Sequence, residues 1–168
     1  MKGYTYMGRA AVAEPVNLAR GLQDTVRILS SKARDKAVTI TVEIQPELPM
    51  ARAFGGELNQ IWSNILDNAI DAVDYGGAVS IRAARELQWI VVRIIDNGHG
   101  IPEEIRGRIF DPFFTTKPVG EGTGMGLDMV RRLVFHQSGE IDLESRPGRT
   151  EFRVAIPIAA EPRPAAAS

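Results

Sequence analysis

The chain contains no cysteine, so disulfides, thiol catalysis and thiolate zinc sites are excluded. Its only histidines are His99 and His136, too little imidazole for a transition-metal centre. No apolar run approaches the ~20 residues of a bilayer-spanning helix, and no secretory pattern opens the chain. A formal net charge of −1 gives no electrostatic case for nucleic-acid binding or adhesion to an anionic membrane. These absences lead to the expectation of a cytoplasmic protein that touches neither nucleic acid nor membrane. The scarcity that matters most is local: no Lys or Arg occurs from Ala53 to Ile81.

Within that cation-free stretch, Leu58, Ile61, Trp62, Ile65, Ala69 and Val73 recur at helical spacing, which predicts a helix with one buried face. A second stripe of Glu57, Gln60, Asn64, Asn68 and Asp71 steps by three and four residues beside it, so these side chains project in nearly one direction. Asn is a weak helix former, and a flank of amide and carboxylate oxygens suits a hard cation such as Mg²⁺. Taken alone, the stripe is better read as a solvated polar face.

With 168 residues and 44% hydrophobic content, the chain is long enough for one domain with a real core. We expect a lead-in over 1–16, the end of an upstream hairpin, then a domain over 17–158 and a disordered tail over 159–168. Within the domain, Leu18, Leu22, Val26 and Leu29 mark a helix from Asn17, its N-cap, to about Lys36. Strands are expected at Val38–Ile44, Ala78–Ala84, Trp89–Ile95, Glu140–Ser145 and Thr150–Ile156, the last two joined by a hairpin turn across Arg146–Arg149. The connection from Pro46 to Gly56 carries no strand signal. A short helix is expected around Glu103–Ile109, and a longer one over Met125–Gln137 with Gly139 as its left-handed cap. The sum is an α/β fold, a two-layer sandwich of about five strands in a mixed sheet covered on one face by three helices, with a long lid.

The glycine-rich segments sit where chemistry is expected. Asp96-Asn-Gly98-His-Gly100-Ile-Pro102 follows an almost wholly apolar strand, and a carboxylate at a strand end can accept a hydrogen bond in a partly desolvated pocket. Gly120-Glu-Gly122-Thr-Gly124-Met-Gly126 opens a helix, where unpaired N–H groups suit phosphate. It is neither a Walker A loop nor a dinucleotide fingerprint. Between them, Asp111-Pro-Phe-Phe-Thr-Thr-Lys117 offers Phe113 and Phe114 as lid anchors and Thr115, Thr116 and Lys117 as groups able to reach phosphate.

In this order the segments resemble the catalytic ATP-binding domain of bacterial sensor histidine kinases, within the superfamily shared with DNA gyrase, Hsp90 and MutL. Asn64-Ile-Leu-Asp-Asn68-Ala is similar to the family's N box, Asp96–Gly100 to the G1 box, Asp111–Lys117 to the F box and Gly122–Leu127 to the G2 box. The resemblance implies an ATP site with Mg²⁺ on Asn68, supported by Asn64, and adenine bound by Asp96 beside Gly98 and Gly100. It also implies cofactor contacts at Ile101, Phe113, Thr116, Lys117, Gly122, Thr123, Gly124, Met125, Gly126 and Leu127, and catalytic roles for Asn64, Asn68 and Lys117. The implied partners are ATP, a phosphoacceptor-histidine hairpin upstream or in trans, and indirectly a response regulator.

Two departures stand out. Asp71 occupies a position where many members carry a phosphate-facing basic residue, and His99 one that often carries a small residue or Pro. The hydrolases of the superfamily have a glutamate base where Asn64 stands here, and an amide cannot take a proton from water. This favours transfer to a protein histidine over hydrolysis. Neither His99 nor His136 stands in an acceptor context, so the isolated chain is expected to be inactive in autophosphorylation. The alternatives are a nucleotide-binding regulatory module without transfer and an anti-sigma-type serine kinase.

Overall fold

A computed structural model describes residues 12–112, 114 and 126–160. The elements run β1 (Glu14–Val16), α1 (Leu18–Asp35), β2 (Thr39–Ile44), β3 (Ala51–Ala53), α2 (Gly55–Ala72), β4 (Ala78–Glu86), β5 (Trp89–Asp96), α3 (Glu103–Arg106), α4 (Leu127–His136), β6 (Glu140–Arg146) and β7 (Arg149–Pro157). Five strands form a mixed sheet in the order β2-β4-β5-β7-β6, parallel only between β2 and β4, which are joined through β3 and α2. This is the expected α/β sandwich.

Burial decides which residues become helix and which strand. Leu58, Ile61, Trp62, Ile65, Leu66 and Ile70 of α2 are fully buried against the sheet, each stabilising the docked helix by roughly 1.5–3 kcal/mol. That outweighs the cost of a helical Asn, which is below about 0.7 kcal/mol. Both α1 and α4 pack against α2. In the sheet, Val79, Ile81 and Ala83 of β4, Ile90, Val92 and Ile94 of β5, and Phe152, Val154 and Ile156 of β7 alternate into the same core. The opposite face carries Glu43, Arg82, Arg93, Arg153 and Asp142 in register across all five strands, laced by ion pairs including Arg93–Glu86 at 3.1 Å and Arg149–Glu151 at 2.9 Å.

Helix ends explain the boundaries. Asn17 accepts from Arg20 N–H at 3.1 Å, the expected N-cap. At the end of α4, however, Gly139 is not the left-handed residue. Ser138 takes that conformation, at φ 61°. Ser138 N–H donates to Phe135 O at 2.9 Å and Gly139 N–H to Val134 O at 3.0 Å, a Schellman arrangement. Gly139 is needed for a different reason: a Cβ there would lie 2.5 Å from Ala155 O.

Three further expectations are revised. β1 and β3 pair antiparallel, Glu14 opposite Ala53, within the lead-in and the Pro46–Gly56 connection; three-residue strands are too short to show a period. The expected tail begins at Ala159, yet Ala159 is buried and donates to Met50 O at 2.9 Å. Finally, α3 is one turn long and ends at Arg106 rather than Ile109.

Candidate nucleotide site

Of the candidate site residues, Asp96, Gly98, Gly100 and Ile101 lie at the end of β5 and in the turn after it, which abuts the end of α2. Asp96 closes β5 and is 3% exposed. Burial in the apolar strand raises its carboxyl above the usual aspartate range, opposed by the Gly98 N–H, which donates to it at 2.9 Å, and by the charge of His99. Asp96 therefore sits as a desolvated acceptor with one oxygen already oriented by backbone.

The two glycines after it are required by the fold itself. A Cβ on Gly98 would lie 2.3 Å from Ala72 O, the last residue of α2 and one turn beyond Asn68. A Cβ on Gly100, at φ 84°, would lie 2.6 Å from Arg146 O in the β6–β7 hairpin. The same hairpin grips the loop through Gly148 N–H on Gly98 O at 2.9 Å and through Ser145 Oγ, which accepts from Ile101 N–H at 2.8 Å. Asp96, Gly98, Gly100 and Ile101 thus form one rigid turn abutting the end of α2.

On α2 the expected stripe divides. Asn64 is buried and its Nδ2 donates to Gln60 O at 2.8 Å, which orients the carboxamide; Asn68 follows one turn later, half-buried. The two ends of the stripe serve helix packing. Glu57 Oε1 lies 2.7 Å from His136 Nδ1 and accepts from Gln137 Nε2 at 2.6 Å. Gln137, itself buried, accepts from Phe54 N–H at 2.7 Å, and the His136 ring stacks on Phe54 at 4.4 Å. Asp71 reaches across to α1, where Lys32 Nζ lies 2.7 Å from it and 2.5 Å from Asp67. His99 is solvent-exposed.

The cations missing from α2 are supplied by α1, and sequence reasoning missed them. Burial alone would lower the Lys32 ammonium, but hydrogen bonds and charge from Asp67 and Asp71 outweigh it and hold the group above the usual lysine range. One turn on, Lys36 Nζ donates to Ile70 O at 3.0 Å and Asp71 O at 3.1 Å, satisfying carbonyls at the end of a helix with no basic residue in its own last turn. The available signal was a matched spacing: Lys32 and Lys36 four apart on one helix, Asp67 and Asp71 four apart on the next.

Gly126 is the N-cap of α4, and Leu127 its first residue. Phe114 packs on the core with Arg108 over its ring at 5.0 Å. Phe113, Thr115, Thr116, Lys117, Gly120, Gly122, Thr123, Gly124 and Met125 lie outside the described residues.

Comparison with known proteins identifies the family and the fold. Residues 55–160 match the family described as histidine kinase-, DNA gyrase B- and HSP90-like ATPase. The chain is 32% identical over 160 residues to the sensor kinase CckA of Brucella abortus, covering 86% of this chain and 17% of that protein. It is 30% identical over 159 residues to the sensory histidine kinase/phosphatase NtrB of Rhodobacter capsulatus, covering 87% and 44%. The chain thus spans less than half the length of these relatives. Among solved structures, the catalytic domain of histidine kinase ThkA superposes with a TM-score of 0.80 at 28% identity, covering 88% of this chain and 97% of that one. Full-length ShkA in complex with AMPPNP gives 0.77 at 28%, covering 95% and 35%. The shared ATPase family and the shared catalytic-domain fold lead to one conclusion: this chain belongs to the histidine kinase-, gyrase B- and HSP90-like ATPases, with the fold of a histidine kinase catalytic domain.

Proposed function

We propose that this domain binds Mg²⁺-ATP and transfers the γ-phosphoryl group to a histidine on a helical hairpin outside this chain. The observation that carries the reading is Asp96: a buried carboxylate at a strand end, oriented by Gly98 N–H and set beside the end of the Asn64/Asn68 helix. A buried acceptor at that point suits the adenine amino group. The amides one or two turns back on α2 suit the phosphate end.

The donor set fits Mg²⁺. Among the described residues no cluster of three or more His, Asp or Glu could hold a metal by protein ligands alone. Mg²⁺ commonly takes one or two protein oxygens plus substrate phosphates, and Asn68, with Asn64 behind it, would supply them. The bound ion would neutralise charge developing on the transferred group. Asn64 offers no base to activate water, which favours transfer over hydrolysis. Lys117, Thr116 and the glycines of the lid complete the proposed phosphate contacts.

The acceptor lies elsewhere because neither histidine suits the role. The His136 ring is held between Glu57 and Phe54, and His99 sits in the glycine turn beside Asp96. ThkA was solved in complex with the response regulator TrrA, and a response regulator is the downstream partner we propose here. No helix among the described residues is long and apolar enough to cross a membrane, and we place the domain in the cytoplasm.

The test is to incubate the chain with Mg²⁺ and γ-labelled ATP together with a histidine-hairpin fragment of a sensor kinase. Acid-labile label on the fragment is expected. Nucleotide binding without label would instead indicate a regulatory module, and acid-stable label on a partner serine would indicate a serine kinase.

A further inference from the structure

The flank of α2 that carries Asn64 and Asn68 also carries Asp67 and Asp71. Residues three and four apart on a helix are neighbours, so both carboxylates stand within a turn of the amides. A polyphosphate brought to those amides would meet two negative charges, and α2 has no Lys or Arg to offset them. Lys32 alters that balance from the neighbouring helix. Its Nζ lies 2.5 Å from Asp67 and 2.7 Å from Asp71, a two-carboxylate clamp on one ammonium. Lys36, one turn later, is bound to α2 carbonyls instead and braces the same two helices.

We propose that Lys32 is a positioning residue for nucleotide: it offsets part of the charge of Asp67 and Asp71 and draws both carboxylates toward α1, so that α2 presents its amides, and not its carboxylates, to the phosphates. The inference rests on the ATP reading above. It makes Lys32 act through the two aspartates, with no contact of its own to ligand. Its signature is that the effect grows with phosphate charge.

Calorimetry with Mg²⁺-ATP, ADP and adenosine on four proteins tests it: wild type, Lys32→Met, Lys32→Arg and the triple variant Lys32→Met/Asp67→Asn/Asp71→Asn. Removing the ammonium takes one positive charge away from two carboxylates about a turn from the phosphates, so Lys32→Met is expected to weaken ATP binding roughly ten- to a hundredfold. ADP should lose less, and adenosine should change by less than about twofold. Lys32→Arg keeps the charge and should bind like wild type. The triple variant removes cation and carboxylates together and should recover ATP affinity to within about threefold. Unchanged ATP affinity in Lys32→Met overturns the proposal. So does an equal loss for ATP and adenosine, which would mean simple misfolding, or a triple variant that stays weak. If Lys32→Met does not fold, the triple variant alone decides by the same criterion. A wild-type protein that binds no adenine nucleotide removes the ATP reading itself, and this inference with it.

Discussion

Asp96 shows how one residue can be read in sequence and still be sharpened by structure. Its place after an apolar strand marks it as the ligand acceptor we propose; its burial holds its charge at a cost to the fold, which the Gly98 hydrogen bond reduces. A carboxyl whose pKa is raised by folding binds its proton more tightly folded than unfolded. Its contribution to stability is then greatest below the unfolded value of about 3.9 and declines as pH rises through the raised folded value. Asp96→Asn removes that decline. We expect the variant to melt no lower than wild type at pH 7, with any advantage vanishing as pH falls toward 4. The same substitution replaces a charged acceptor for adenine. Losing a hydrogen bond to a charged group costs about 1.5–3 kcal/mol, or roughly ten- to a hundredfold in affinity. Thermal melts across pH with calorimetry check both halves, and wild-type ATP affinity in Asp96→Asn would refute the adenine assignment.

At the scale of elements, α2 is held at both ends by neighbours. Its N-terminus has no side-chain cap from Phe54; instead Gln137, from the end of α4, accepts Phe54 N–H and donates to Glu57 and to Leu133 O. Gln137→Ala would leave the Phe54 N–H without this partner and withdraw one donor from Glu57. Unmade buried hydrogen bonds cost about 1–3 kcal/mol each, so urea titration should show a loss of at least about 1 kcal/mol, and an unchanged midpoint would refute the role. The helix existed in the sequence pattern, whereas its caps did not. A capping residue 83 positions away in the chain leaves no local signature. β1 and β3 were illegible for a related reason, since each is three residues long and gains its identity only from the other.

At the scale of the whole molecule, the Asp96–Ile101 turn is the junction of α2, β5 and the β6–β7 hairpin. Gly98→Ala would drive a Cβ to 2.3 Å from Ala72 O, and because the obstacle is backbone, one of the two segments must move. Such overpacking typically costs 1–3 kcal/mol (roughly), and it displaces Asp96 from α2. We therefore expect lower thermal stability and weaker ATP binding together; a stable variant with full affinity would show that the junction does not position the site. The order of helical and alternating periods, the strand-end aspartate, the glycine turn and the asparagine pair were all written in the sequence, because periodicity and backbone permissiveness are local properties. Which polar residues of the α2 stripe pair with neighbouring helices was decided only in three dimensions. Glu57 and Asp71 lie on one stripe with Asn64 and Asn68, yet α4 claims the first and Lys32 of α1 the second. Charge and hydrogen-bond partners are chosen by proximity in space, and a helix cannot specify by itself what its neighbours will bring.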